Sequence, residues 1–214
     1  MTEGERKQAA PGKAHWEGVY STKSETAVSW YQEEPTLSLQ LIREASLRAD
    51  TRVIDVGGGA SVLVDRLLSL GYAAPTVLDI SATSLERARA RLGQDAGRVN
   101  WVVADLTQLE ELGRFDVWHD RAVFHFLTHE EERQAYLTLA ERSLPVGGHL
   151  IIATFSLAGP ECCSGLSVCR YDAFSLTREI GPRFTLTRSV EETHMTPAGA
   201  TQTFVYCFFR RDFP

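Results

Sequence analysis

The sequence predicts an α/β fold: a doubly wound, mostly parallel seven-stranded sheet with helices on both faces and a C-terminal antiparallel hairpin. Three observations predict it. Strand-like and helix-like segments alternate along the middle of the chain, a glycine-rich turn follows the first strand, and two β-rich runs near the end are separated by only a short turn. Repeated β-α-β units bury both faces of a parallel sheet through right-handed crossovers.

Taken in order, Thr36 to Leu47 places Leu37, Leu41 and Ile42 at helical spacing, with Leu39 on a flank, the repeat of a single buried helix face. Arg52 to Val56 is a short β-branched run that ends in Gly57-Gly58-Gly59. Ser61 to Leu70 again spaces Val62, Leu63, Leu67 and Leu70 as a helix does, and Gly71 stands where a helix stops. Pro75 to Ile80 reads as a strand, Ser84 to Leu92 as a helix and Val99 to Val103 as a strand. Phe115 to His119 is strand-like, Glu130 to Leu144 helical, and His149 to Phe155 a strongly apolar strand. A loop rich in Gly, Pro and Cys leads to a helix near Asp172 to Ile180. Phe184 to His194 and Thr201 to Arg210 then flank Pro197-Ala198-Gly199. A connection this short cannot be a helical crossover, so these strands pair antiparallel.

The chain has 214 residues, 43% hydrophobic and 23% charged, enough apolar material for one domain with a full core. Residues 15–214 are expected to form it: 15–48 an N-terminal lid and helix, 49–155 a cofactor-binding core, 156–172 a substrate-side loop, and 173–214 the last helix and hairpin. Residues 1–14 read as a flexible tail, without the apolar stretch of a signal peptide. No run approaches the roughly 20 apolar residues of a membrane span. Cys162, Cys163, Cys169 and Cys207 are too unevenly placed for a secreted disulfide framework, so a reducing cytoplasm is the expected setting. Net charge is −6, and only Arg87, Arg89 and Arg91 cluster. Nucleic acid is therefore not an expected partner; a monomer or weak homodimer is.

The chemistry begins at Asp55-Val-Gly57-Gly58-Gly59, between a strand and a helix. Glycine lets backbone approach a ligand closely, and the next helix offers unpaired N–H groups. A dinucleotide fingerprint needs G-x-G-x-x-G; from Gly57 the third glycine falls on Val62, and from Gly58 the second falls on Ala60. Both registers fail. An acid such as Asp55 ahead of the glycines suits a ligand that carries an ammonium group instead.

On these residues the chain, from about Trp16 to its C-terminus, resembles the class I S-adenosylmethionine-dependent methyltransferases. The resemblance implies that Asp55, Gly57, Gly58 and Gly59 form the first cofactor motif, although Ser61 stands where the family often has another glycine. It implies that Asp79, with Ile80 and Ser81, lies at the end of the second strand and binds the two ribose hydroxyls. A carboxylate suits a vicinal diol because it accepts both O–H bonds. Ala104-Asp105-Leu106 matches the segment beside the adenine amino group, and Leu144-Pro145-Val146-Gly147-Gly148 the turn before the fifth strand, where the family more usually has Lys-Pro-Gly-Gly. The terminal hairpin is also the family's. The implied cofactor is S-adenosyl-L-methionine, with no metal.

The expected function is methyl transfer to a small-molecule acceptor such as a thiol or amine. The resemblance places the fourth strand end, Asp116 to Leu127, beside the transferred methyl. His119, Asp120 and His125 are candidates for acceptor contact or general base, histidine being best poised for proton transfer near neutrality. Each also has a structural alternative: His119 as a solvent-side strand residue, His125 packed on the next helix, and Asp120-Arg121 as an ion pair fixing the loop. His119 is also expected to touch the cofactor. In the aromatic segment before the sheet, Trp16 is expected on the cofactor and Trp30 and Tyr31, with Arg121, on the acceptor. A plain hydrophobic latch would use the same aromatics.

Cys162, Cys163 and Cys169 lack C-x-x-C spacing and read as incidental thiols, with Cys207 in the core. Three other functions stay open: a protein lysine methyltransferase, for which Glu130-Glu131-Glu132 could line an acidic groove, a noncatalytic nucleotide-binding module, and an NAD-dependent oxidoreductase, which Val62 and the hairpin disfavour.

Overall fold

The computed structural model describes residues 12–213. Its strands are β1 (Val53–Val56), β2 (Thr76–Asp79), β3 (Asn100–Val103), β4 (Val117–Arg121), β5 (His149–Phe155), β6 (Cys162–Cys163), β7 (Leu166–Ser167), β8 (Phe184–Met195) and β9 (Thr201–Arg211). Seven of them form one sheet in the order β3-β2-β1-β4-β5-β9-β8. The first five strands are parallel; β9 returns antiparallel on β5, and β8 on β9. The strand order reverses between β1 and β4, which opens a crevice at the carboxyl ends of those two strands.

The helices are α1 (Lys13–Thr22), α2 (Thr36–Ala45), α3 (Leu63–Ser69), α4 (Ala82–Leu92), α5 (Glu130–Ser143) and α6 (Ala173–Ile180). On one face Trp118, Leu150 and Phe209 pack against Tyr136 and Ala140 of α5 and Leu176 of α6. On the other, Val53, Ile151 and Phe208 meet Leu41 and Ile42 of α2 and Leu67 of α3. Each such side chain contributes about 1.5–3 kcal/mol when fully buried. This is the doubly wound sheet with terminal hairpin that the periodicity predicts.

Besides shifts of one or two residues at helix and strand ends, as in α2, α3 and α4, three segments differ from expectation. The tail read over residues 1–14 falls mostly outside the described residues, and Lys13 and Ala14 already belong to α1. β4 begins and ends two residues later than Phe115 to His119, because Asp120 and Arg121 continue the ladder to Ile152 and Ala153. Two charged residues look like a strand end in sequence; here both find partners inside the fold. The loop at 156–172 holds a small hairpin made of β6 and β7. No helix among the described residues is long and apolar enough to cross a membrane.

Candidate active site

The glycine turn leaves β1 at the crevice. Gly57 has φ +65°, a left-handed conformation, and a Cβ there would run into Val123. Gly59 has φ +47°, and a Cβ would come within 2.9 Å of both the Asp79 carboxylate and the Tyr20 hydroxyl. Gly57 and Gly58 both donate to the Leu78 carbonyl, at 2.7 and 3.2 Å, which ties the turn to β2. Glycine is required because backbone, carboxylate and lid converge here.

Asp79 ends β2 and is 6% exposed. Its Oδ1 accepts the Ser81 N–H at 2.8 Å. Burial pushes its carboxyl up to about 7, the nearby Asp55 and Glu17 charges push the same way, and bonds from Ser81 and Ser84 oppose. Asp105, after β3, accepts the N–H and hydroxyl of Thr107 on one oxygen, at 3.0 and 2.7 Å.

α1 and the segment after it cover these strand ends. Glu17 reaches back to accept bonds from the Ser81 hydroxyl and from the Ala82 and Thr83 N–H groups, at 3.0, 2.8 and 3.2 Å. It thereby caps α4 from outside that helix, and the bonds, chiefly from Thr83, hold its carboxyl below the usual range against the opposing effect of burial. Arg91 of α4 bonds the Ala60 and Ser61 carbonyls at 2.8 and 2.7 Å and pairs with Glu25 and Asp65. These contacts pin Trp16, Tyr20 and Trp30 over the crevice. The Trp16 ring packs edge-on against Trp30 and Phe126, with centroids 5.8 and 5.0 Å apart.

Two adjoining cavities result. The first is lined by Trp16, Tyr20, Trp30, Gly57, Asp79, Ile80, Ala104, Asp105, Leu106, Arg121, Phe126 and Cys163, among others. The second shares Tyr20, Trp30, Gly57 and Arg121 with it and adds Glu25, Tyr31, Ser38, Asp55, Gly58 and His119. Of the residues expected to touch cofactor or acceptor, all but Gly59, Ser81, Asp120 and His125 line one of the two cavities. Ser81 stands one step back as the α4 cap.

The three residues considered for proton transfer have other tasks. Alternation along β4 sends His119 and Asp120 to opposite faces of the sheet. His119 lies beside Asp55 in the ladder, and its Nδ1 is 2.8 Å from the Asp55 carboxylate while its Nε2 is 2.9 Å from the Ser38 hydroxyl. It is 2% exposed, so it is not a solvent-side residue. Asp120, fully buried, accepts the Val123 and Phe124 N–H groups and the Tyr136 hydroxyl, at 2.9, 3.1 and 2.8 Å. Burial raises its carboxyl to about 6, against those bonds. It is not the partner of Arg121, which turns toward the hairpin. His125 is buried and accepts the Phe155 N–H at 3.3 Å; burial first, then the Arg121 charge, push it down to about 3.

Several functional positions escape sequence reading. Tyr20 and Glu17 lie on α1 beside Trp16, a segment flagged only for its aromatics. Ser38 sits on the buried face of α2, where a hydroxyl at helical spacing gave no signal. Cys163, expected to be incidental, forms part of the first cavity's wall, and burial pushes its thiol up to about 11. Cys162 is exposed, Cys169 half-buried and Cys207 buried; all are free thiols.

Residues 53–148 match the model of a family described as a methyltransferase domain. Among curated proteins, the chain is 30% identical over 151 residues to the eEF1A lysine and N-terminal methyltransferase of Mus musculus, a match covering 67% of this chain and 21% of that protein. The chain thus spans about a fifth of that relative's length. Among solved structures, one described for the conversion of a disulfide bond into a thioacetal group during echinomycin biosynthesis superposes with a TM-score of 0.76 at 21% identity, over 94% of this chain and 93% of that one. The N-methyltransferase NodS from Bradyrhizobium japonicum, in complex with S-adenosyl-L-homocysteine, superposes at 0.69 and 17% identity, over 94% and 99%. At these identities the structures establish a shared fold.

Proposed function

We propose that this chain, which belongs to the class I S-adenosylmethionine-dependent methyltransferases, methylates a small acceptor inside the aromatic-walled crevice without a general base of its own. The observation that carries this reading is the occupation of the nearby acids and bases. His119 is held at both ring nitrogens, Asp120 is spent on a loop and Tyr136, and His125 is buried and held neutral.

The residues present fit the cofactor. A deeply buried carboxylate at Asp79, raised in pKa by its burial, gains from two hydroxyl donors of a ribose, and Asp105 stands on the same wall for the adenine edge. Asp55, on the second cavity with Gly57 and Gly58, suits the ammonium end. When bound, S-adenosylmethionine would supply a sulfonium-borne methyl that passes to a nucleophile by in-line displacement, with the neutral thioether as leaving group. The chain's own contribution is positional. Trp16, Trp30 and Phe126 exclude water and orient the acceptor, and Gly57 and Val123 shape the floor below them. A soft nucleophile that arrives ionised needs nothing more.

The test is calorimetric titration with S-adenosylmethionine, with NAD(H) as control and Asp79→Ala in parallel, followed by mass-spectrometric screening of thiols, amines and lysine-bearing proteins. Micromolar binding lost in the variant, and methylation of a small thiol or amine, support the reading. Binding untouched by Asp79→Ala removes it. A second reading, a protein lysine methyltransferase, rests on the name of the mouse relative. Methyl incorporation into a protein, with none into small acceptors, would favour it.

A further inference from the structure

Resting on that reading, we infer that the acceptor is an anion and that Arg121 holds its charge. Arg121 is the last residue of β4, its side chain is 9% exposed, and it borders both cavities. Among the described residues that line them, it is the only Lys or Arg. The guanidinium is fixed on three sides. Its Nε donates to the Tyr206 hydroxyl at 2.8 Å, its Nη1 donates to the Trp30 carbonyl at 3.0 Å, and its central carbon lies 4.3 Å over the Phe204 ring.

The fourth side faces Glu192 in a loose ion pair that leaves one hydrogen bond unmade. Nη2 is buried and makes no hydrogen bond. The nearest carboxylate, Glu192 of β8, is 3.6 Å away, beyond hydrogen-bond reach. Glu192 is itself shared: the Gln32 amide donates to both its oxygens at 3.3 Å, and the Tyr206 hydroxyl lies 3.3 Å from Oε2. A buried N–H of a fixed cation left unbonded is costly, and a ligand oxyanion is the group that would complete it.

Two sources could supply that oxyanion, the acceptor or the cofactor's own carboxylate. The surroundings favour the acceptor. Trp30, bonded to Arg121 through its carbonyl, and Cys163 line the first cavity with it, and they come from the lid and the 156–172 insert rather than from the cofactor loops. Trp16 and Phe126 beside them suit a flat or apolar body. The acceptor class is therefore an apolar or aromatic molecule that carries a carboxylate or similar anion.

The test uses the full chain saturated with S-adenosylhomocysteine and three probes of one shape: benzoate, benzamide and benzylamine. Benzoate is expected to bind about tenfold or more tighter than benzamide, with benzylamine no better than benzamide. Arg121→Gln should abolish the preference. Because Arg121 also holds Trp30 and Tyr206, Glu192→Gln provides an arm that leaves it in place: removal of the competing carboxylate should tighten benzoate severalfold and leave benzamide unchanged. The ratio of S-adenosylhomocysteine to 5′-methylthioadenosine affinity should stay the same in Arg121→Gln. A fall in that ratio assigns Arg121 to the cofactor carboxylate and overturns the proposal. Equal binding of benzoate and benzamide, a preference for benzylamine, an unchanged benzoate affinity in Glu192→Gln, or no benzoate binding up to about 10 mM overturns it as well. Failure of S-adenosylhomocysteine itself to bind strikes the underlying methyltransferase reading, and the acceptor proposal falls with it.

Discussion

Cofactor affinity should rise with pH through 7, and Asp79 is the reason. Its carboxyl is held up to about 7 chiefly by burial, so the ligand-free site is mostly protonated at pH 6. Ribose hydroxyls donate to the ionised form and favour it, so binding expels the proton. With a free-state pKa near 7, the ionised fraction is about one tenth at pH 6 and nine tenths at pH 8, so the dissociation constant falls about tenfold, or about 1.4 kcal/mol. The probe is 5′-methylthioadenosine, which keeps the diol and has no amino-acid moiety to titrate. Calorimetry in two buffers of different ionisation enthalpy counts the proton released. The same raised pKa acts on stability. Relative to the usual carboxyl value of 3.8, the folded state holds the proton more tightly, so this contribution is full below pH 3.8 and is lost as pH rises through about 7. Asp79→Asn should therefore melt higher than wild type at pH 8 while binding the nucleoside more weakly and with no pH dependence. Affinity that is flat between pH 6 and 8 in the wild type, with no proton released, would refute the assignment of Asp79 to the diol.

Glu17→Ala removes the external cap of α4 and the clasp of the lid, at a cost of about 1 kcal/mol; stopped-flow dissociation of S-adenosylhomocysteine should quicken severalfold, and an unchanged rate would mean that Glu17 does not hold the lid. Asp120→Ala strands the Val123 and Phe124 N–H groups and the buried Tyr136 hydroxyl, a loss of about 3 kcal/mol or more. A urea midpoint equal to wild type would contradict it. Gly57→Ala meets both the positive φ and Val123, so its melting temperature should drop by the equivalent of about 2 kcal/mol. A wild-type melt would show that the turn relaxes freely.

The elements that repeat over short distances were legible. Leu37, Leu41 and Ile42 marked α2, the run from His149 to Phe155 marked β5 by its apolar density, and Pro197 to Gly199 marked the closing hairpin. Asp55, the glycines, Asp79 and Asp105 were picked out through the resemblance to the family's motifs, and all lie at or near the carboxyl ends of parallel strands, which share one edge. What sequence could not give was partnership. That one oxygen of Asp55 meets His119 follows from the β1–β4 register, and that Ser38 completes the contact follows from how α2 lies on the sheet. The missing hydrogen bond of Arg121 depends on Glu192, 71 positions away, coming no nearer than 3.6 Å. The end of β4 was misjudged for the same reason: an ion pair fixing the loop was the structural alternative for Asp120-Arg121, whereas Tyr136 donates to Asp120 and Arg121 donates to Tyr206.

This partnering bears on the pH dependence of turnover. If no side chain removes a proton from the acceptor, kcat/KM must follow the acceptor's own ionisation, since only its deprotonated form can attack, with Asp79 adding a limb near 7 only below cofactor saturation. At saturating S-adenosylmethionine, two thiol acceptors of one shape whose pKa values differ by about two units should then give profiles displaced by about two units. His125, held down to about 3, contributes no limb in the range where the protein is assayed. A limb that stays fixed when the acceptor is changed would mean that the enzyme does supply a base. His119 would be the first candidate, and its bond to Ser38 the first to reconsider. Replacing Ser38 with Ala separates the cases: it frees Nε2 and leaves Arg121 its own bond to Trp30, so a fixed limb should respond to it and an acceptor-borne limb should not.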